Sequence, residues 1–413
     1  MSFLVKAVLV LACALMGARV QAATACESVQ NYQQVLTCAE QKSPDVLEQE
    51  ALVRQKSAVV DAVTQLRNPE LGVQSITGSV NSETRTETDV SLAFPVELGG
   101  KRAARKEVSE AELSRAQSAL LLQKQTVRKM TLLKLLRLRQ ITSELELIDE
   151  SSQTFTKLVK QYESRPALSP EQQVTLTVFR IARGEYSFKR MEYDEELTSL
   201  EAYFKIATGL PLEKIKQVLP PKITKWPIVR ASHDDLAKSP LLASHLADVQ
   251  SAQGELNQAK GESWPTMMIG PSAKFTSEGG QDLQQWGANL SMPIPVFNVN
   301  GAGRTAAAVG LKAAEQKRDL QLQQLEAQRE GLRKSYAKAI EVFALTPNES
   351  SLSDKHKKIE GLFMKGVVSS PLIIEAHRSL VDFEKLRNER ELHAVETYLD
   401  IQMIDGEAVE LAL

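Results

Sequence analysis

The feature that most limits what this 413-residue chain can fold into is an internal duplication. Ser43-Pro44 and Ser239-Pro240 lie 196 residues apart, as do Pro69 and Pro265. Pro95 and Pro293 are 198 apart, and Ser169-Pro170 and Ser370-Pro371 are 201 apart. One offset kept across four landmarks indicates two similar halves, since the roughly 20–50 residue periods of solenoids are far shorter. Ser followed by Pro is a helix-start signal: the hydroxyl caps free N–H groups and the ring fixes φ for the first turn. Gln172 completes a capping box with Ser169.

Both halves read in one order. A helix over 44–67 or 240–262 precedes a strand over 70–78 or 266–276, a polar loop over 79–87 or 277–285, and a return strand over 88–96 or 286–296. A glycine-marked turn leads into a helix of 101–161 or 304–363, then a tight turn and a closing helix over 170–207 or 371–405. The expected divisions are a leader (1–22), an N-terminal segment (23–42), a first repeat (43–208), a Pro-rich extended linker (209–238), a second repeat (239–406) and a tail (407–413). The fold class is mainly α, with four β-strands per chain. Aromatics are only 5% while helix formers are plentiful, which agrees.

At 1.5 Å per residue, a helix of some sixty residues spans about 90 Å, wider than any compact domain. Ile141, Leu145, Ile148, Ser152, Phe155, Val159 and Tyr162 step by alternate fours and threes, a heptad seam. Leu132, Leu133, Leu135, Leu136 and Leu138 widen the apolar face upstream, as neighbours on two sides require. Thr346-Pro347-Asn348 must interrupt the second long helix.

The strands alternate. Val90, Leu92, Phe94 and Val96 share one face before Gly99-Gly100 ends the strand and Lys101, Arg102 and Arg105 open the helix. Trp286, Ala288, Leu290, Met292, Ile294 and Val296 oppose Gly287, Asn289, Ser291, Pro293 and Pro295, and Met267, Ile269, Ala273 and Phe275 line one face of the preceding strand. One greasy and one polar face over about ten residues is the pattern of a membrane β-strand. A soluble four-stranded sheet packed on a helix is the alternative. Four strands cannot close, and an open edge in lipid is forbidden. Two chains give eight strands, a barrel filled by its own side chains. Three give twelve, so a pore needs a trimer with the helices as a tunnel beneath.

Lys6, the apolar run 7–16 and Val20-Gln21-Ala22 predict a signal peptide cut after Ala22; the run is too short to span a bilayer. Export removes Cys13 and leaves Cys26 and Cys38, an even pair that suggests one disulfide. Two free thiols, or lipid at Cys26, are the alternatives. The formal net charge of -2 gives no case for nucleic acid as a partner.

The duplicated layout, Phe94-Pro95-Val96-Glu97-Leu98-Gly99-Gly100-Lys101-Arg102, Asn298-Val299-Asn300-Gly301 after Pro293–Phe297, and the run Gly366–Ala376 closing at Gly406 resemble the outer-membrane efflux (TolC-like) family, most of all its cobalt–zinc–cadmium-resistance branch. The resemblance covers about residues 40–406. It implies a homotrimer with a 12-stranded barrel in outer-membrane lipid of a Gram-negative bacterium and a helical periplasmic tunnel. It also implies a periplasmic adaptor and an inner-membrane pump as partners, and passive conduction of small cargo, divalent metal cations or drugs. Adaptor contact falls on Arg165, Ala167, Leu168 and Ser169 at the first helix–helix turn, and on Gly366, Val367, Val368 and Ser369 at the second. The first turn departs from the family by lacking a glycine before its serine. Type I protein secretion, or a pore-free periplasmic coiled-coil scaffold, are the competing functions.

No catalytic constellation is present, so no enzyme activity and no cofactor are expected. His233, His245, His356, His377 and His393 are scattered and read as solvated helix-surface residues rather than metal ligands. Gly301-Ala302-Gly303 lacks the third glycine of a dinucleotide loop. Asn348-Glu349-Ser350 matches a glycosylation pattern that arises often by chance. Lys358, Glu360, Lys365, Glu375 and Arg378 flank the second turn, where rings of charge in a trimer could select ions or lock a gate. Glu375 and Arg378 are the candidate gate pair, through contacts between chains; an ordinary solvated face is the alternative.

Overall fold

The structure is a computed structural model and describes Cys26, residues 29–80, 83–229, Leu236, 238–278, 280–346, 358–359, 361–363, Lys365 and 367–411. The expected leader, Pro347, the Asn348 pattern, His233, His356, Glu360 and Gly366 lie outside the described residues. The elements are α1 (Tyr32–Lys42), α2 (Pro44–Val63), β1 (Glu70–Val80), β2 (Glu83–Glu97), α3 (Lys101–Glu163), α4 (Pro170–Thr208), α5 (Leu212–Lys216), α6 (Pro240–Gly261), β3 (Thr266–Glu278), β4 (Gln281–Ser291), α7 (Gly301–Leu345) and α8 (Ser370–Asp405). Two compact units are present: one from 1–48, 122–235 and 326–413, the other from 49–121 and 236–325. They cut across the two repeats, each taking matching pieces from both.

Helix α3 runs unbroken for 63 residues. Its sequence contains no Gly or Pro to stop it. Helix α4 starts on the full capping box of Ser169 and Gln172. It ends on Gly209, whose φ is 74°. That left-handed backbone suits a residue without Cβ. Helix α8 departs from expectation at its start. Ser369 rather than Ser370 is the cap, which moves Ser370 into the first turn beside Pro371. From Gly209 to Val229 the chain is mostly irregular, but Leu212–Lys216 forms the short α5 and buries Leu212 and Ile215.

The first unit holds the aliphatic and aromatic core. Leu36 of α1, Leu132, Leu135, Leu136, Leu138, Ile141, Ile148 and Phe155 of α3, and Phe179 and Phe204 of α4 are fully buried. Each such side chain contributes about 1.5–3 kcal/mol on leaving water. Four members of the α3 heptad seam, Ile141, Ile148, Phe155 and Val159, are in this core, and Leu145 and Tyr162 pack against it. The chain entrance is pinned here too. Cys26 and Cys38 are disulfide-bonded. Arg128 donates to Val409 O at 2.7 Å, Glu40 at 2.9 Å and Gln33 at 3.0 Å, joining α1 and the C-terminal tail to α3.

The second unit carries one antiparallel sheet of order β1-β2-β3-β4. The expected polar loops at 79–87 and 277–285 are largely strand: β1 pairs with β2 out to Val80 and Glu83, and β3 with β4 out to Glu278 and Gln281. Hydroxyl side chains on a pleated surface can pair across strands. Ser75 and Thr88 do so at 3.1 Å. Thr77 and Thr86 do so at 3.3 Å. Polarity marked a second wet stretch of sheet, not its end. Conversely, β4 stops at Ser291 instead of reaching 296, since Pro293 and Pro295 have no N–H for a ladder. Among the described residues no helix is long and apolar enough to cross a membrane.

Candidate functional site

The ladder registers give the sheet two unlike faces. Val73, Val90, Ala273 and Trp286 stand in one row across all four strands; Phe94, Ile269 and Leu290 stand in another on the same side. With Leu71, Leu92, Val96, Met267 and Phe275 they make an apolar face. Trp286 is 79% exposed, Leu71 70% and Leu290 64%. Val96 pairs with Met267, and Phe275 lies eight positions further along β3. That separation is about 26 Å along a strand. It matches the roughly 25 Å apolar band of an outer-membrane barrel. The opposite face carries Gln74, Arg85, Glu87, Asp89, Ser91, Lys274, Thr276 and Gln285. Strands β1 and β4 each present one unpaired edge.

At the helix end of the sheet, Gly99 and Gly100 turn β2 into α3 with φ of 74° and 73°. A Cβ on Gly99 would sit 2.6 Å from Trp264 Cδ1 and 2.8 Å from the Gly261 carbonyl oxygen, whereas one on Gly100 meets open space. The matching joint of the second half uses Asn300 at φ 53°, held by donation from its side chain to Ala259 O at 2.9 Å. The bases after the glycines are partly tied down. Arg105 donates twice to Glu97, at 3.1 and 2.8 Å, and Lys101 reaches Thr266 Oγ1 at 3.3 Å. Of the three, Arg102 is the one left exposed.

At the first turn Arg165, Ala167 and Ser169 are exposed and Leu168 is half-buried against the core. The Arg165 guanidinium stacks 4.5 Å from the Tyr162 ring centre. At the second turn Val367 and Ser369 are exposed and Val368 is half-buried. Both members of the candidate gate pair are exposed, and Arg378 is engaged within its own chain. It meets Glu185 of α4 at 3.3 Å and Glu375 at 3.5 Å. Lys189 with Asp382 at 2.8 Å and Lys385 with Glu192 at 3.0 Å continue the same spacing, so α4 and α8 run parallel along a seam of three ion pairs. The Glu192 carboxylate at Lys385 holds that ammonium above its ordinary range.

His377 is not a solvated surface residue. It is fully buried, 2.9 Å from Ser151 Oγ and edge-on to Phe155 at 5.2 Å, because α8 turns this face onto α3. Burial beside it pushes the Tyr186 phenol well above its usual range. His245 is half-buried, 3.6 Å from Asp248, and His393 is exposed. Among the described residues no group of three or more His, Cys, Asp or Glu could hold a metal ion.

Sequence reasoning missed a buried polar network in the first unit. Glu144, 1% exposed, accepts from Arg137 at 3.0 Å and from Asn388 at 2.7 Å, and Arg137 also donates to Glu196 at 2.7 Å. Gln140 donates to Asn388 O at 3.1 Å and to Glu391 at 3.2 Å. Burial opposes the Arg137 charge, but the two carboxylates outweigh it and its pKa rises. The available signal was polar residues 137, 140 and 144 at helical spacing inside a leucine-rich stretch.

No family model matches the chain. The chain is 24% identical over 238 residues to the cobalt-zinc-cadmium resistance protein CzcC of Cupriavidus metallidurans, covering 56% of this chain and 55% of that protein. It thus spans about half the length of the curated relative it matches. Among solved structures it is similar to the CmeC outer membrane channel of Campylobacter jejuni, with TM-score 0.69 and 14% identity over 91% of this chain and 86% of that one. It is similar also to the outer-membrane channel OprN, with TM-score 0.71 and 14% identity over 92% and 90%. Two-faced sheet, glycine joint and paired long helices therefore belong to one architecture, and the chain has the fold of the outer-membrane channels.

Proposed function

We propose that this protein is the outer-membrane channel of a tripartite efflux system, with its long helices in the periplasm and no enzymatic role. The observation that carries the reading is the sheet. It has a lipid-length apolar face, a polar face opposite, and two unpaired edges that a bilayer does not tolerate. Copies of the chain satisfy those edges, β4 of one beside β1 of the next, and three copies give twelve strands and a water-filled bore. The exposed turns around Arg165–Ser169 and Val367–Ser369, with Gly366, take the periplasmic adaptor of an inner-membrane pump, which supplies the energy. Glu375 and Arg378 sit on the seam nearest the second turn and hold it closed. The similarity to a cobalt-zinc-cadmium resistance protein favours divalent metal cations as cargo over drugs.

The test is a deletion strain grown on graded cobalt, zinc and cadmium salts and on dyes and antibiotics, with outer-membrane fractionation of the restored protein. Sensitivity to the metals alone, with a detergent-requiring trimer in the outer membrane, is the expected result. A protein released in soluble form, or a strain with unchanged susceptibility to every compound, refutes the reading.

A further inference from the structure

The polar face of the sheet is uneven, and its charge gathers toward the hairpin ends. Pairing sets Arg85, Glu87 and Asp89 of β2 beside Lys274 and Glu278 of β3. Arg85 bridges Glu87 and, at 3.4 Å, Glu278, while Lys274 meets Glu87 at 2.5 Å. Asp89 stands directly opposite Lys274 in the ladder and adds its charge to the group. Arg85, Lys274 and Glu278 line a hollow of about 620 Å³ on this face, opposite the apolar one. The next row of the same face toward the helices is Gly72, Ser91, Ser272 and Gly287, small and uncharged, and Glu70 stands beyond it.

Ion pairs as open as these are screened by water and add little, so sheet stability does not account for five ionisable groups in adjacent positions. Position does. In a strand-built membrane wall the apolar face meets lipid and the polar face lines the bore, where charges act on whatever passes. We infer that these five residues form an electrostatic filter in the outer part of the bore, selecting cations over anions; this rests on the channel reading above. Three acids against two bases leave one net negative charge per chain, repeated in every copy around the bore. Interleaving the acids with bases keeps the field shallow, so a cation is admitted without being held, as conduction requires. The cargo class is hydrated metal cations and cationic organic solutes rather than anions.

The experiment is a reversal-potential measurement across planar bilayers holding the full-length protein, under a potassium chloride gradient. The wild type is expected to prefer potassium. Glu87→Gln with Glu278→Gln turns the cluster from one net negative charge to one positive and moves the reversal potential toward chloride. Arg85→Gln with Lys274→Gln makes it three negative and moves the reversal potential the other way. A change of about 1 kT in bore potential alters the cation-to-anion ratio about sevenfold, and the two variants should differ by at least that much. Glu278→Asp, which keeps the charge, should retain the wild-type ratio. Each double variant is scored separately, so failure of one to assemble leaves the other to decide. Variants that conduct with the wild-type reversal potential overturn the filter and leave the channel standing. A protein that inserts but conducts nothing, both as wild type and as Arg378→Ala, which removes the contacts proposed to hold the tunnel closed, overturns the channel reading itself.

Discussion

Gly99 and Gly100 have nearly the same backbone conformation and different surroundings, so substituting each separates strain from packing. Both have positive φ, 74° and 73°. An L-residue in that left-handed region carries a penalty of about 1–2 kcal/mol. Gly100→Ala should cost that and no more, because its Cβ meets nothing within 4 Å. Gly99→Ala incurs the same strain and also drives a Cβ to 2.8 Å from the Gly261 carbonyl oxygen and 2.6 Å from Trp264 Cδ1. Turning the indole does not relieve Trp264 Cβ, also 2.8 Å away, and the carbonyl belongs to the end of α6. Moving it also disturbs Gly261, whose own Cβ position lies 2.8 Å from Gly99 O. Overpacking of this kind costs about 1–3 kcal/mol. The expected total for Gly100→Ala is therefore about 1–2 kcal/mol. For Gly99→Ala it is about 2–5 kcal/mol, strain and overpacking together. The assay is denaturant unfolding of the detergent-purified protein, with the fraction reaching the outer membrane as a second readout. Equal losses at both positions would refute the argument, because they would mean that backbone strain alone governs the joint.

Two further expectations concern the helical unit. Glu144→Ala leaves Arg137 and Asn388 facing an emptied buried position. It should destabilise by about 3 kcal/mol, the cost of breaking a buried pair from one side. Glu196→Ala, at the more exposed end of the same network, should cost about 1 kcal/mol or less, and urea titration of both variants checks the order. Burial opposes the charge of Lys129, but hydrogen bonds to Asp400 at 2.7 Å and Glu396 at 3.2 Å outweigh it and raise its pKa. A raised folded-state pKa gives stabilisation that is complete below the unfolded value of about 10.4 and is lost as pH climbs through the folded one. Melting temperature measured between neutral pH and strong alkali should thus fall on the alkaline side, and Asp400→Asn should shrink that fall.

Much of this molecule was legible in one dimension. The duplicated Ser-Pro spacing set the order of elements in each half. The absence of Gly and Pro from 101 to 163 set α3, and alternation set which residues of β2 and β3 share a face, because period and local backbone chemistry are properties of neighbours in the chain. Expectation and structure part where distant residues decide. The polar residues 79–80, 83–87, 277–278 and 281–285 became strand because each found a partner across the hairpin, and no residue carries that information alone. His377 became a core residue because α3 brings Ser151 and Phe155 to it across more than two hundred positions of sequence. Arg378 found Glu185 within its own chain, and Arg137 found Glu144, Glu196 and a network with Asn388, for the same reason. Sequence alone determined the repeat, the long helices and the greasy and wet faces of the strands. Only tertiary structure decided which charges are buried, which are paired, and that Gly99 is required by the backbone of α6 while Gly100 is required only by its own φ, since packing and ion pairing join residues that the chain keeps apart.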